Sequence, residues 1–200
     1  MLVVGFDLDM TLIDSRPGIV ATFDALAAEI GHPIDGEVVA TRLGPTLETE
    51  MANWVPAEEI QSASDRYREL YAELGVPGSS LLPGAHESVR AVHDAGGKSI
   101  VVTAKFEPNA IACLAHVGLA IDVVVGWRHG PQKGETLAEH GASIYVGDTP
   151  ADIIGARSAG ATAVCVATGP HDAQELRDAG ADAVLDSLEQ FPSWLTGHLG

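Results

Sequence analysis

The sequence predicts an α/β fold: a parallel sheet with helices on both faces, plus a small all-helical unit inserted after the first strand. Three observations predict it. From residue 84 onward, short apolar runs of strand length alternate with helical patterns. Those strands are apolar along nearly their whole length, as strands buried on both faces are. Residues 16–82 hold helical patterns and no convincing strand.

The elements follow in order. Residues 2–6, LVVGF, form the first strand, which ends on Asp7-Leu8-Asp9. Residues 17–31, 36–42, 46–53 and 56–75 read as helices, and Val76-Pro77-Gly78-Ser79-Ser80 as a linker. Pro83-Gly84 opens a helix that Gly96-Gly97 stops near Ala95. KSIVVT, 98–103, is a strand, and a helix from Glu107 to Val117 closes on Gly118. IDVVVG, 121–126, is a strand, and a short helix follows at about 134–140. SIYVG, 143–147, is a strand that runs directly into Asp148; Thr149 or Pro150 then starts a helix to Ala159. The strand ATAVCVAT, a helix at 172–179, the strand ADAVL and a helix at 187–196 complete the series. The expected division is a core of residues 1–15 and 83–200 and a helical unit of residues 16–82.

Composition narrows the function. Two hundred residues can bury one good core plus a small appended unit, and a hydrophobic fraction of 46% belongs to a globular chain. No apolar run is long enough to span a bilayer, and no basic region precedes the N-terminal apolar stretch. The expectation is a soluble, cytoplasmic protein, monomer or homodimer. A formal net charge of −17 repels nucleic acid and anionic membranes. It also repels a phosphorylated substrate, so any anion site must be built locally. The chain has three lysines, Lys98, Lys105 and Lys133, so their positions are informative. Cys113 and Cys165 lie far apart in apolar segments and read as buried free thiols. The eight histidines show no metal-ligand spacing and read as surface residues.

Unusual residues gather where strands end. Asp7 and Asp9 follow the first strand; Thr103, with Lys105 behind it, ends another; Lys133 precedes a short helix; Asp148 and Asp152 flank the start of a helix after SIYVG. Each has an ordinary alternative. An Asp-x-Asp pair is commonly loop chemistry or a cap, a Thr commonly closes a strand, Lys133 reads equally as a surface charge, and Asp148 as a helix cap. In a parallel sheet, however, all four points lie on one edge, where such folds bind ligands. Two neighbouring carboxylates at the end of a core strand destabilise a fold unless something neutralises them. Asp7, Asp9 and Asp148 make an oxygen-rich set suited to a hard cation such as Mg²⁺. Thr103 can hydrogen-bond a phosphate oxygen, and Lys133 can supply positive charge to it.

These residues resemble the haloacid dehalogenase superfamily, in its phosphoglycolate-phosphatase-like branch. The first motif matches DLDMT at Asp7, Asp9 and Thr11, the second VVT at Thr103, the third Lys133, and the fourth GDTPAD at Asp148 and Asp152. The resemblance covers essentially the whole chain. It implies a Rossmann-like core and a helical cap at 16–82. It further implies an Mg²⁺-dependent phosphatase acting on a small phosphorylated metabolite through an aspartyl-phosphate. In that scheme Asp7 is the nucleophile and Asp9 the general acid and base. Thr103, Ala104 and Lys133 bind phosphate. Asp7, the backbone carbonyl of Asp9, and Asp148 hold the metal, with Asp152 behind them. In the cap, Thr41-Arg42-Leu43-Gly44-Pro45 resembles the loop that dips toward the substrate. Arg42 there either meets a substrate anion or is an exposed arginine at a helix end.

Two features depart from the family. Met10 stands where the family usually has Gly, which implies a backbone there without a strong demand for positive φ. The interval from Lys133 to Asp148 is shorter than usual, so Lys105 is a second candidate for the task of Lys133. Asp9 argues against a dehalogenase, and the absence of lysine from 16–82 argues against a phosphonate-cleaving enzyme. A sugar phosphomutase, a phospho-signalling receiver domain and a non-catalytic phosphate-binding homologue remain as alternatives.

Overall fold

The computed structural model describes residues 1–200. Strand β1 (Val3–Phe6) is buried along its whole length. A tight loop leads to the two-residue β2 (Ile13–Asp14), and four helices follow: α1 (Arg16–Ile30), α2 (Gly36–Ala40), α3 (Leu47–Met51) and α4 (Ile60–Leu70). A π-helical turn, Tyr71–Gly75, extends α4, and the chain returns on β3 (Ser80–Leu81), antiparallel to β2. The α/β alternation then begins with α5 (Ala85–Asp94), β4 (Lys98–Val102), α6 (Glu107–His116) and β5 (Val123–Val125). It continues with α7 (Pro131–Glu139), β6 (Ile144–Gly147), α8 (Pro150–Ser158) and β7 (Thr162–Val166). The chain ends with α9 (Ala173–Asp178), β8 (Ala183–Leu185) and α10 (Phe191–Leu199).

The main sheet has six parallel strands in the order β5-β4-β1-β6-β7-β8. From β1 the chain steps outward through β4 and β5, then crosses back to β6 and steps outward the other way. The strand order therefore reverses beside β1. The carboxyl ends of β4, β1 and β6 lie side by side at this reversal, where open α/β sheets form their ligand crevice. Three of the predicted residues, Asp7, Thr103 and Asp148, each follow one of these three strands directly.

The period of two in the strands builds two cores. Val4, Phe6, Val101, Ile144, Val146, Val164 and Val166 face one way and join Phe191 of α10 and the apolar stripe of the insert, including Phe23, Leu26, Tyr67 and Tyr71. Val3, Ile100, Val102, Tyr145 and Cys165 face the other way, under Leu137 of α7 and Ile153 of α8. The insert thus shares one hydrophobic core with the sheet. Cys113 and Cys165 are buried free thiols. No helix is long and apolar enough to cross a membrane.

Four local expectations change. The segment expected as one helix at 56–75 is a 3₁₀ turn (Ala57–Glu59), α4 and the π turn. The β2–β3 ribbon at the base of the insert is too short to leave a sequence pattern. Helix α7 begins at Pro131, earlier than expected, because Gly130 (φ 51°) turns the chain and Pro131 fits the first helical turn. Lys133 is therefore inside the helix and buried, rather than ahead of it. Met10 overturns the expectation drawn from its side chain: its φ is 58°, in the left-handed region. Its N–H donates to Ile13 O at 2.8 Å, its carbonyl accepts from Thr168 Oγ1 at 2.6 Å, and its side chain is 2% exposed. These contacts offset a backbone cost of about 1–2 kcal/mol for a non-glycine residue.

Candidate active site

Asp7 is anchored by its own backbone, whose N–H donates to Val146 O at 2.8 Å and extends the ladder between β1 and β6. Its carboxylate meets two others: Asp7, Asp148 and Asp152 each place an oxygen within 4.8 Å of the rest, all buried. One ammonium faces them. Lys133 Nζ donates to Asp152 Oδ1 at 2.6 Å and lies 2.9 Å from Asp7 Oδ1. It is aligned on Asp152, so Asp7 Oδ1 is a buried oxygen with no hydrogen bond.

The three carboxylates are not equivalent. Asp152 is saturated: its Oδ2 accepts from Asp148 N (3.2 Å), Thr149 N (3.0 Å) and Thr149 Oγ1 (2.7 Å), a capping box at the start of α8. Asp148 accepts one side-chain bond, from Thr11 Oγ1 at 3.0 Å. Burial, followed by the Asp152 and Asp7 charges, pushes the Asp148 carboxyl well above its usual range. Burial likewise raises Asp7, to about 6; the Lys133 charge opposes the rise, and the Asp152 and Asp9 charges add to it. Burial alone would pull Lys133 down, but the Asp152 and Asp7 charges hold its ammonium well above its usual value. Two more carboxylates than ammoniums are left in a buried site, with free oxygens on Asp7 and Asp148. Oxygen donors with uncompensated negative charge fit a hard divalent cation.

Asp9 stands apart from this cluster. Its carboxylate pairs with Lys105 Nζ at 3.0 and 3.2 Å, and its side chain is 21% exposed. Lys105 in turn lies 4.1 Å from the centre of the Tyr71 ring, in the insert. Thr103 is buried; its Oγ1 accepts from Lys105 N at 3.3 Å, which leaves its hydroxyl proton free to donate. Asp7, Asp9, Thr103, Ala104, Lys133 and Asp148 all line one cavity of about 490 Å³, roofed by the insert. The structure thus gathers every core residue singled out in the sequence. It also separates the two lysines: Lys133 attends Asp7, and Lys105 attends Asp9.

This arrangement coincides with a family pattern. Residues 4–166, which span all these positions, match the family described as haloacid dehalogenase-like hydrolase. The chain belongs to that family. It is 29% identical to a plasmid-borne phosphoglycolate phosphatase of Cupriavidus necator, over 95% of this chain and 91% of that protein. It is 30% identical to the tyrosine-protein kinase PtkA of Mycobacterium tuberculosis, over 82% of this chain but 61% of that protein. The fold superposes on a haloacid dehalogenase-like family hydrolase from Streptococcus pneumoniae with a TM-score of 0.83, at 23% identity, over 100% and 99% of the two chains.

Within this haloacid dehalogenase-like hydrolase the insert supplies the far wall of the cavity. Arg42 lies just past α2 and lines the cavity, but its Nη2 donates to Glu50 Oε1 at 2.6 Å and its guanidinium stacks 5.5 Å from the Trp54 ring. It is an exposed arginine just past a helix end, as one of the two readings had it, and it is paired rather than free. Several lining residues escaped the sequence reading. Arg68 of α4 is 9% exposed, on a helix that also buries Ala63, Ser64 and Tyr67. Trp127 is 55% exposed with φ 53°, an unusual backbone for a bulky residue. Outside that lining, Gly169 backs the site: a Cβ there would overlap the Asp148 carboxylate. Its signal was available: a glycine just beyond the end of β7, on the ligand edge of the sheet.

Proposed function

We propose that this protein is an Mg²⁺-dependent phosphatase that cleaves a small phosphomonoester through an aspartyl-phosphate on Asp7. That it is a phosphoric monoester hydrolase agrees with its family and with the phosphatases among its relatives. The observation that carries the mechanism is Asp7 Oδ1, which faces the Lys133 ammonium at 2.9 Å and has no other partner. It is a buried carboxylate oxygen at the sheet's switch point, in a cavity beside one ammonium and one free hydroxyl.

Thr103 Oγ1, the Ala104 backbone and the Lys133 ammonium hold the non-bridging phosphoryl oxygens. Asp7 and Asp148, with the Asp9 carbonyl, would hold Mg²⁺, which when bound neutralises the carboxylates and the phosphoryl charge. Asp152 fixes Lys133 and the start of α8. The Asp7 carboxylate attacks phosphorus, and the bond to the leaving oxygen breaks. Asp9 gives its proton to that oxygen, releasing the alcohol. Asp9 then takes a proton from water as the water attacks phosphorus, which frees phosphate and restores Asp7. Lys105 holds Asp9 in place between turnovers.

Residues 16–82 act as a cap that excludes water during the first transfer and admits it for the second, hinged near Ser15-Arg16 and Pro77-Gly78. The substrate is a soluble phosphorylated metabolite in the cytoplasm. Relatives named phosphoglycolate phosphatase make a two-carbon acid phosphate the first candidate.

Turnover of p-nitrophenyl phosphate with Mg²⁺, lost on chelation, tests the reading. Trapping a phosphorylated enzyme with hydroxylamine at Asp7 tests the intermediate. A steady rate without divalent metal, or an unmodified Asp7 after trapping, overturns the proposal.

A further inference from the structure

Five charged residues of the insert line the cavity among apolar and aromatic ones, and both of their guanidiniums are already paired. Arg68 Nη1 donates to Asp65 Oδ1 at 2.8 Å, and its Nη2 is bound by Glu48. The same guanidinium lies over the Phe106 and Trp127 rings, at 5.8 and 5.4 Å. Arg42 is held by Glu50, which also accepts from Trp54 Nε1 at 2.7 Å. Three carboxylates therefore meet two guanidiniums, and all five residues line the cavity.

A leaving group that carries its own carboxylate would enter a wall with one carboxylate in excess. To pair with the terminal nitrogens of either arginine it would have to displace Glu50, Glu48 or Asp65, and Lys105, another cation of the lining, is held by Asp9. A second carboxylate brought beside these side chains meets like-charge repulsion, weakened by solvent where Glu48 and Asp65 are exposed. A hydroxyl-bearing group meets no such barrier. It can donate to the Glu48, Glu50 or Asp65 oxygens without breaking a pair.

Size and shape point the same way. A cavity of about 490 Å³ falls within the range of roughly 300–1,000 Å³ that holds drug-sized ligands. A two-carbon acid phosphate would leave much of it empty. Trp127 offers a half-exposed ring to the cavity, held in a backbone conformation that a tryptophan rarely adopts. Such strain persists where the surrounding structure requires the side chain in place. An indole face suits the C–H face of a sugar or polyol.

We propose that the distal half of the cavity selects a phosphomonoester whose leaving group is uncharged and hydroxyl-rich, a polyol or sugar, and rejects one that carries a second acid. This rests on the phosphatase reading and replaces the two-carbon acid phosphate, the candidate taken from the relatives' names, with a neutral substrate class.

Glycerol 3-phosphate and 3-phosphoglycerate form a matched pair of probes, since a hydroxymethyl in one is a carboxylate in the other. Their binding to the slow Asp9→Asn protein, loaded with Mg²⁺, can be measured by calorimetry. Glycerol 3-phosphate should bind about tenfold more tightly or better. Equal or tighter binding of 3-phosphoglycerate overturns the proposal, as does failure of both to bind to protein that takes up inorganic phosphate. Glu48→Gln releases Arg68 and should move the ratio several-fold toward the acid; an unmoved ratio also overturns it. Turnover of p-nitrophenyl phosphate by the wild type is a separate readout. A wild type that hydrolyses it yet prefers the acid keeps the phosphatase and loses the selectivity; a neutral preference without hydrolysis does the reverse.

Discussion

Lys133 sets its ammonium 2.9 Å from Asp7 Oδ1 yet gives its hydrogen bond to Asp152, at 2.6 Å. One buried cation thus stands beside the Asp7 carboxylate while its hydrogen bond goes to Asp152. Lys133→Met should remove the only cation that faces three buried carboxylates. Breaking a buried ion pair by deleting one partner costs roughly 3–5 kcal/mol. Lys105→Met should cost less, because Asp9 is 21% exposed and can turn toward water. Urea melts of metal-free protein compare the two. Equal losses would mean that the Lys133 cluster is better solvated than its geometry implies.

The same cluster sets a pH dependence. Burial is the main reason that Asp7 is raised from 3.8 to about 6 in the metal-free fold. Between those values the folded chain holds a proton that the unfolded chain has lost. Stability from this group is present below about pH 4 and is lost as pH rises through about 6. Mg²⁺ should reverse the trend, since it binds the ionised carboxylates and stabilises only the folded state. Melting temperatures across pH 5–8, with and without Mg²⁺, test this. The metal's stabilisation should grow with pH; a constant or shrinking increment would contradict an acidic metal cluster containing Asp7.

Asp7→Asn and Asp9→Asn should separate by step. Asp7→Asn keeps the shape and removes the attacking oxygen, so turnover should fall to background. It should also stabilise the metal-free protein above about pH 6, because one of three buried carboxylates that share a single ammonium is gone. Asp9→Asn should slow turnover by roughly a hundred- to ten-thousand-fold, the usual worth of general acid–base help. The loss should be smaller for a good leaving group such as p-nitrophenol. Steady-state kinetics on two leaving groups read this out. Near-normal rates in Asp7→Asn would require another nucleophile.

The core half of the site was legible because three of its residues each follow a continuous apolar strand directly. Asp7, Thr103 and Asp148 needed only the inference of a parallel sheet to be placed together. Lys133 was legible as a residue but not as a buried one, since the turn at Gly130 and Pro131 moves the start of α7 ahead of it. The distal wall was hidden. Arg68 sits in a polar helix that reads as a solvated surface, and only tertiary packing against Phe106 and Trp127 buries it. Trp127 follows β5 in a loop whose path no local pattern fixes. Cap helices meet the core through long-range contacts, and residue spacing within each helix does not encode which face will close over the site.

Met10 gives the final test, because two effects of known size oppose each other there. Its left-handed backbone costs about 1–2 kcal/mol, which glycine would recover. Its side chain is 2% exposed, and truncating a buried methionine costs roughly 2–5 kcal/mol in lost transfer energy and cavity. Glycine also loses more backbone entropy on folding, by roughly 0.5–1 kcal/mol relative to alanine where it serves no special turn. Packing therefore outweighs strain, and Met10→Gly should destabilise the protein even though the family usually places glycine there. Thermal or urea unfolding of the variant decides it. A stabilised variant would show that backbone strain dominates at this turn and that the methionine side chain contributes little to the core beneath the first motif.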